Sequence, residues 1–280
     1  MLACATQRTL VMEPGDAYRW PEALHAKHGL GDYPSAPNAL ASVEFKKLWQ
    51  MAIEEPRRFS VGRQDVETLA LARKPLDVTR RWVGTDYSRG RTDTANATVH
   101  RLALPSEDIV VKCVNASLCA EVVADWLGAT VIVVTRDLRK VVSSWTLLAG
   151  FEPEELHADP WVREHVLKGI EIPRLTTRLE KIAWTVATLH RSLVAASRRQ
   201  SWLTISYEQL LADPHSGIVE LVSSCGMHCD DRVHAFIDSR QQPGTGFETK
   251  RSSEQLRRWQ ERLTATEWMQ VDAVLGHFAA

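Results

Sequence analysis

Apolar positions along the chain alternate between two rhythms. Short runs rich in β-branched residues occur at 8–14 (RTLVMEP), 108–112 (DIVVK), 129–135 (ATVIVVT) and 202–206 (WLTIS), and each predicts a short strand. The first is stopped by Pro14. Elsewhere the apolar residues recur at helical spacing. LASVEFKKLWQMAIEE (40–55) predicts a helix that ends before Pro56, and NASLCAEVVADWLG (115–128) predicts one with Asn115 as N-cap and Gly128 just past its end. A further helix is expected from about 138 to 148. Across 172–198, Leu175, Leu179, Ile182, Val186, Leu189 and Leu193 are spaced 4, 3, 4, 3 and 4, a single apolar stripe on one long helix. YEQLLADP (207–214) opens a helix that stops at Asp213-Pro214. The capping boxes Ser252-x-x-Gln255 and Thr264-x-x-Glu267 predict two helices in series over 252–276. Residues 16–38, rich in Pro, Gly and Asp, read as loop, and 57–107 carry the least pattern.

Residues 108–148 thus read strand, helix, strand, helix with tight links, a βαβ unit whose strands run parallel through a right-handed crossover. The expected class is α/β. The chain shows no internal repeat, and its 280 residues suffice for one large domain.

Charge narrows the function classes. The formal net charge is −1, so no global field favours nucleic acid or an anionic membrane, and any anion site must be local. No run of eighteen apolar residues exists to span a bilayer, and the first residues lack a secretory pattern. Five dispersed cysteines read as reduced thiols, giving a cytoplasmic expectation. CGMHC (225–229) offers Cys225, His228 and Cys229, but no second ligand pair follows at a zinc spacing, and Gly226 reads as a helix end. No metal is expected. The ten tryptophans are scattered and mostly fit helix stripes, so they read as core. Arginines 57–91 read as solvated surface, with a lid or an acidic-acceptor pocket as the alternative.

The densest chemistry lies in VIVVTRDLRKVVSSW (131–145), where five β-branched residues run straight into Arg136, Asp137, Arg139 and Lys140. Ligands of open parallel sheets bind at the carboxyl ends of strands, where the next helix presents free N–H groups. Arg136 stands at such an end, and Ser144 lies two helical turns on. An arginine fork and a hydroxyl suit a phosphate. On these residues alone, simple solvation of a strand end by Arg136 and Asp137 remains an equal alternative.

This stretch resembles the 3′-phosphate-binding segment of the sulfotransferases that use 3′-phosphoadenosine 5′-phosphosulfate (PAPS), with Leu138 where the family often has Pro. Three further segments resemble that family in the same order: 108–134 with Lys112, which stands 24 residues before Arg136; ISYEQLLADP (205–214); and RRWQERLTATEWMQVDAV (257–274). Together they cover roughly 105–280, the bacterial branches being most similar, and weaker features reach back to Glu13.

The resemblance implies a single domain over 1–280, a P-loop-like three-layer sandwich with a central parallel sheet. It implies sulfuryl transfer from PAPS to a hydroxyl, less readily an amine, of a small molecule. Arg136 and Ser144 would hold the 3′-phosphate, completed by Lys250 or Arg251, with Tyr207 near the nucleotide. Lys112 would stabilise the transferring group or the bridging oxygen. Cytosolic animal members carry a histidine two residues after this lysine, where Val114 stands here. The base would instead be Glu13, at the end of the strand 8–14, as in several bacterial and Golgi-type relatives; His100 is a spare candidate. The family's glycine-rich 5′-phosphosulfate loop and the strand before it have no counterpart, so the expectation is a start upstream of Met1 or the loss of half the cofactor site. Two alternatives follow: a nucleotide-binding or structural homologue without catalysis, and a P-loop kinase. The kinase is disfavoured because no G-x-x-x-x-G-K-[ST] occurs. Neither the acceptor nor the oligomeric state is legible.

Overall fold

The computed structural model describes residues 9–14, 20–59, 109–148, 153–227, 229, 231–241 and 259–279. Within these, four strands and ten α-helices form a mixed α/β structure: β1 Thr9–Met12, α1 Pro21–Ala26, α2 Ala36–Ala41, α3 Val43–Glu54, β2 Ile109–Lys112, α4 Ala120–Leu127, β3 Ile132–Thr135, α5 Leu138–Trp145, α6 Arg178–Arg199, β4 Leu203–Ser206, α7 Tyr207–Ala212, α8 Pro214–Ser224, α9 Asp231–Gln241 and α10 Ala265–Gly276. All four predicted strands form, and every pairing among them is parallel. β1 pairs with β2, from Thr9 opposite Ile109 to Met12 opposite Lys112. β3 pairs with β4, from Ile132 opposite Leu203 to Thr135 opposite Ser206. The two pairs are separate sheets, so the crossover helix α4 joins strands that are not hydrogen-bonded to each other.

Several boundaries differ from the sequence reading for identifiable reasons. Asn115 is not an N-cap. Residues 115–119 are turns, tied by Cys119 N–H donating to Ala116 O (3.0 Å) and Ser117 Oγ–H donating to Val114 O (2.9 Å), and α4 starts after Cys119. Its end is as expected, with Gly128 in the left-handed region at φ 56°. The Pro-rich stretch read as loop over 16–38 contains α1 and the first half of α2, because Pro21 and Pro37 stand in the first turns of these helices, where a missing N–H costs nothing. Pro214 likewise opens α8 while ending α7, with Asp213 as the cap between them. Gly226 (φ 68°) follows the end of α8. The capping box at Thr264 forms, whereas Ser252 and Gln255 lie outside the described residues.

Two main cores result. One gathers Val142 of α5, Ile182, Trp184, Val186 and Leu189 of α6, and Val271 and Val274 of α10. The other gathers Val11, Phe45, Leu48, Trp49 and Phe59 with Val122 and Val123 of α4. A smaller one joins α8 to α9 through Ile218, Val222, Val233 and Ile237. α6 is central: it packs on α5, α10, β3 and α4. It begins at Thr177, whose hydroxyl accepts the Glu180 N–H (3.1 Å) while the Glu180 carboxylate accepts the Thr177 N–H (2.8 Å). Bidentate pairing of Arg139 with Asp272 (2.7 and 2.6 Å) ties α5 to α10. Among the described residues no helix is long and apolar enough to cross a membrane.

Because α6 touches so many elements, its first turn matters beyond itself. Thr177→Ala removes one of two reciprocal cap bonds. It is expected to lower stability by about 1 kcal/mol and the melting temperature by about 2–4 °C in thermal denaturation, whereas Thr177→Ser should restore both.

Candidate functional site

Parallel pairing determines what meets at the strand ends. β1 and β2 finish side by side at Met12 and Lys112. The Glu13 N–H then donates to Lys112 O at 2.6 Å, a bond that continues the ladder by one residue. Glu13 takes a left-handed backbone conformation, φ 48°, which a side chain with a Cβ rarely adopts. Its carboxylate, with only 12% of the side chain exposed, pairs with the Lys112 ammonium, which is 50% exposed. The two residues singled out for base and charge stabilisation are therefore brought together. The adjacent Cys113 thiol is pushed up to about 11, chiefly by burial, with the Glu13 charge adding to the effect; backbone hydrogen bonds from Asn115 and Ala116 and the Lys112 charge oppose it. It is a neutral thiol rather than a nucleophile.

The other sheet does the same for a second pair. Thr135 is opposite Ser206, so the next residues, Arg136 and Tyr207, leave the sheet as neighbours. The Arg136 guanidinium lies 5.0 Å from the Tyr207 ring centroid. Arg136 is half-buried, and its buried Nε has no hydrogen-bond partner among the described residues. Burial draws its pKa below the ordinary value, against the opposing charges of Glu208 and Asp137; a guanidinium still remains protonated at neutral pH. Asp137 caps α5 by accepting the Lys140 N–H at 3.2 Å. Ser206 caps α7, forming a capping box with Gln209.

Around this pair the structure adds residues that the sequence reading did not assign. Lys140 Nζ donates to Glu208 Oε1 at 3.0 Å and lies 5.9 Å from the Trp259 ring. Glu208 also accepts the Asp137 N–H at 3.4 Å. Burial pushes the Glu208 carboxyl up, but the bonds from Lys140 and from backbone N–H groups outweigh it and hold the group below its ordinary value. The available signal was positional: Lys140 is in the same charged cluster as Arg136, and Glu208 follows Tyr207 directly. Of the two serines, Ser143 is fully buried and donates to Trp259 O at 3.1 Å, whereas Ser144 is half-buried on α5. Lys250, Arg251 and His100 lie outside the described residues, as does His228 of the CGMHC segment. Among the described residues no group of three or more His, Cys, Asp or Glu side chains is arranged to hold a metal ion.

Chemically, the first pair places a carboxylate beside an ammonium, a proton acceptor next to a charge that can stabilise a developing oxyanion. The second is an arginine over a tyrosine ring, with one donor unpartnered among the described residues, at a strand-to-helix junction suited to a phosphate. Comparison with models of known families, with curated proteins and with solved structures finds no significant match to the chain.

The Lys140–Glu208 contact gives this junction a pH dependence of definite sign. A carboxyl held low in the folded state stabilises above its unfolded pKa, and that contribution is lost as pH falls through the lowered folded value. Lys140→Met should cost less than about 1 kcal/mol at neutral pH, given the partial exposure of both side chains. The difference from wild type should vanish at pH below the ordinary carboxylate range, as read by urea denaturation at both pH values.

Proposed function

We propose that the protein is a sulfotransferase-type enzyme that moves a sulfuryl group from PAPS to a hydroxyl of a small molecule. The observation that carries this reading is Arg136: half-buried, 5.0 Å from the Tyr207 ring centroid, with a buried donor that lacks a partner among the described residues, at the carboxyl end of a parallel strand. A phosphate oxygen would supply the missing acceptor. In this reading the two parallel pairs are parts of one central sheet in a three-layer, P-loop-like single domain.

Transfer would proceed in line. The acceptor oxygen forms a bond to sulfur as the sulfur–oxygen bond to the 5′-phosphate breaks, leaving 3′-phosphoadenosine 5′-phosphate. The acceptor's hydroxyl proton passes to the Glu13 carboxylate. Lys112, already beside that carboxylate, offers its charge to the sulfuryl oxygens or to the leaving oxygen. Arg136, with Tyr207 supporting its plane and Ser144 on the following helix, holds the 3′-phosphate. A binding protein without transfer is the alternative that keeps the Arg136 site and gives Glu13 and Lys112 a structural pairing only.

Calorimetric titration with 3′-phosphoadenosine 5′-phosphate separates these readings from a mere solvated strand end. Wild type should bind, and Arg136→Ala should weaken binding about 10–100-fold, as expected for loss of a charge-assisted bond. Equal binding by both would refute the assignment. If binding holds, a transfer assay with PAPS and 4-nitrophenol tests the chemistry. Glu13→Gln should lower the rate about 100-fold or more while leaving nucleotide affinity unchanged.

A further inference from the structure

A cavity of about 170 Å³ opens between α6 and the segments that precede it. Its apolar wall is Trp184, Pro173 and Leu175, and its polar lining is Glu154, Glu155, His157, Arg174 and Lys181. Trp184 is 1% exposed and wedged in place by Phe278 (centroids 4.9 Å apart) and by His157 edge-on (6.3 Å). Two nitrogens of the wall residues, Trp184 Nε1 and His157 Nδ1, are buried with no hydrogen-bond partner among the described residues. A buried donor left unsatisfied is costly, and such groups call for an explanation.

The carboxylates of the lining are already engaged. Glu154 accepts the Asp32 N–H, and it sits so close to Gly31 that a Cβ there would lie 2.9 Å from its oxygen. Burial pushes the Glu154 carboxyl above its ordinary value, against the Asp32 and Tyr33 N–H groups that bond to it. Glu155 pairs with Lys181 at 3.5 Å. Arg174 is exposed and makes no hydrogen bond or ion pair with the described residues. The donors left over among the lining side chains are the arginine fork and the remaining hydrogens of Lys181, with the buried indole N–H of Trp184 in the same wall. The cavity's size is near that of an apolar cavity of about 150 Å³ that takes up a benzene ring.

We propose that this cavity binds a small organic anion, a carboxylate on a flat apolar body, with the ring against Trp184 and Pro173 and the carboxylate toward Arg174 and Lys181. The assignment does not depend on the sulfuryl-transfer reading. Neutral molecules of the same shape are weaker ligands, because they offer Arg174 no charge-assisted bond.

Benzoate is a direct probe on the full chain. In the ¹⁵N-labelled protein, each tryptophan contributes an indole N–H resonance, and that of Trp184 is identified by its loss in Trp184→Phe. Benzoate should shift this resonance saturably and leave that of Trp49 in place; the Trp49 indole nitrogen is also buried with no partner among the described residues but lies in the other core. Arg174→Gln, at an exposed position that should not disturb folding, should weaken benzoate binding about tenfold. Benzamide should shift the resonance only weakly. A Trp184 signal that does not move, equal movement of the Trp49 signal, equal affinity for benzamide, or an Arg174→Gln variant that binds as wild type does would each overturn the proposal.

Discussion

Residues Ile182 to Leu189 of α6 are buried one after another, so along this stretch the helix has no face left for water. A helix buried all round obliges every neighbour to present surface to it. α5 and α10 supply Val142, Val271 and Val274. The segment before the helix supplies Leu156, Val162 and Val166. Small residues, Ala183 and Ala187, allow close approach where the apolar stripe itself does not reach. Thr185 is accommodated by donating to Glu154 O at 3.4 Å. The position of α5, and with it the strand end that carries Arg136, follows from this packing.

The candidate chemistry is equally a product of parallel pairing. In an antiparallel sheet the ends of adjacent strands point in opposite directions, and residues following two paired strands separate. In a parallel pair they emerge together. Glu13 with Lys112, and Arg136 with Tyr207, are both couples of this kind, made from residues 99 and 71 positions apart. Neither contact requires a specialised loop. Each needs only that the register of two four-residue strands be held.

That division explains what the sequence disclosed. The four strands were legible because β-branched runs are short, dense and bounded by turn residues. The Gly128 end and the Thr264 box were legible because capping is local. α1 and α2 were missed because Pro and Gly composition was weighed as loop, whereas proline at a first turn starts a helix. The Asn115 cap failed because several residues compete for a helix start and local turn bonds decided it. The long helix was found, but as one stripe. The all-round burial of its residues 182–189 depends on α10 and on the segment before it, which the periodicity of 172–198 does not encode. At the site, Arg136, Tyr207, Glu13 and Lys112 could be named from motifs, whereas Lys140 with Glu208 is a long-range pairing that appears only once the β3–β4 register is known.

Glu13 shows where two demands on one residue diverge. Its left-handed backbone would suit glycine better, since a Cβ in that conformation costs roughly 1–2 kcal/mol. Glycine would relax the chain at the end of β1 and remove the carboxylate that faces Lys112. Backbone strain alone favours glycine at this position, and the contact of the carboxylate with Lys112 opposes it. Position 13 thus sets backbone ease against a long-range side-chain contact in one residue choice.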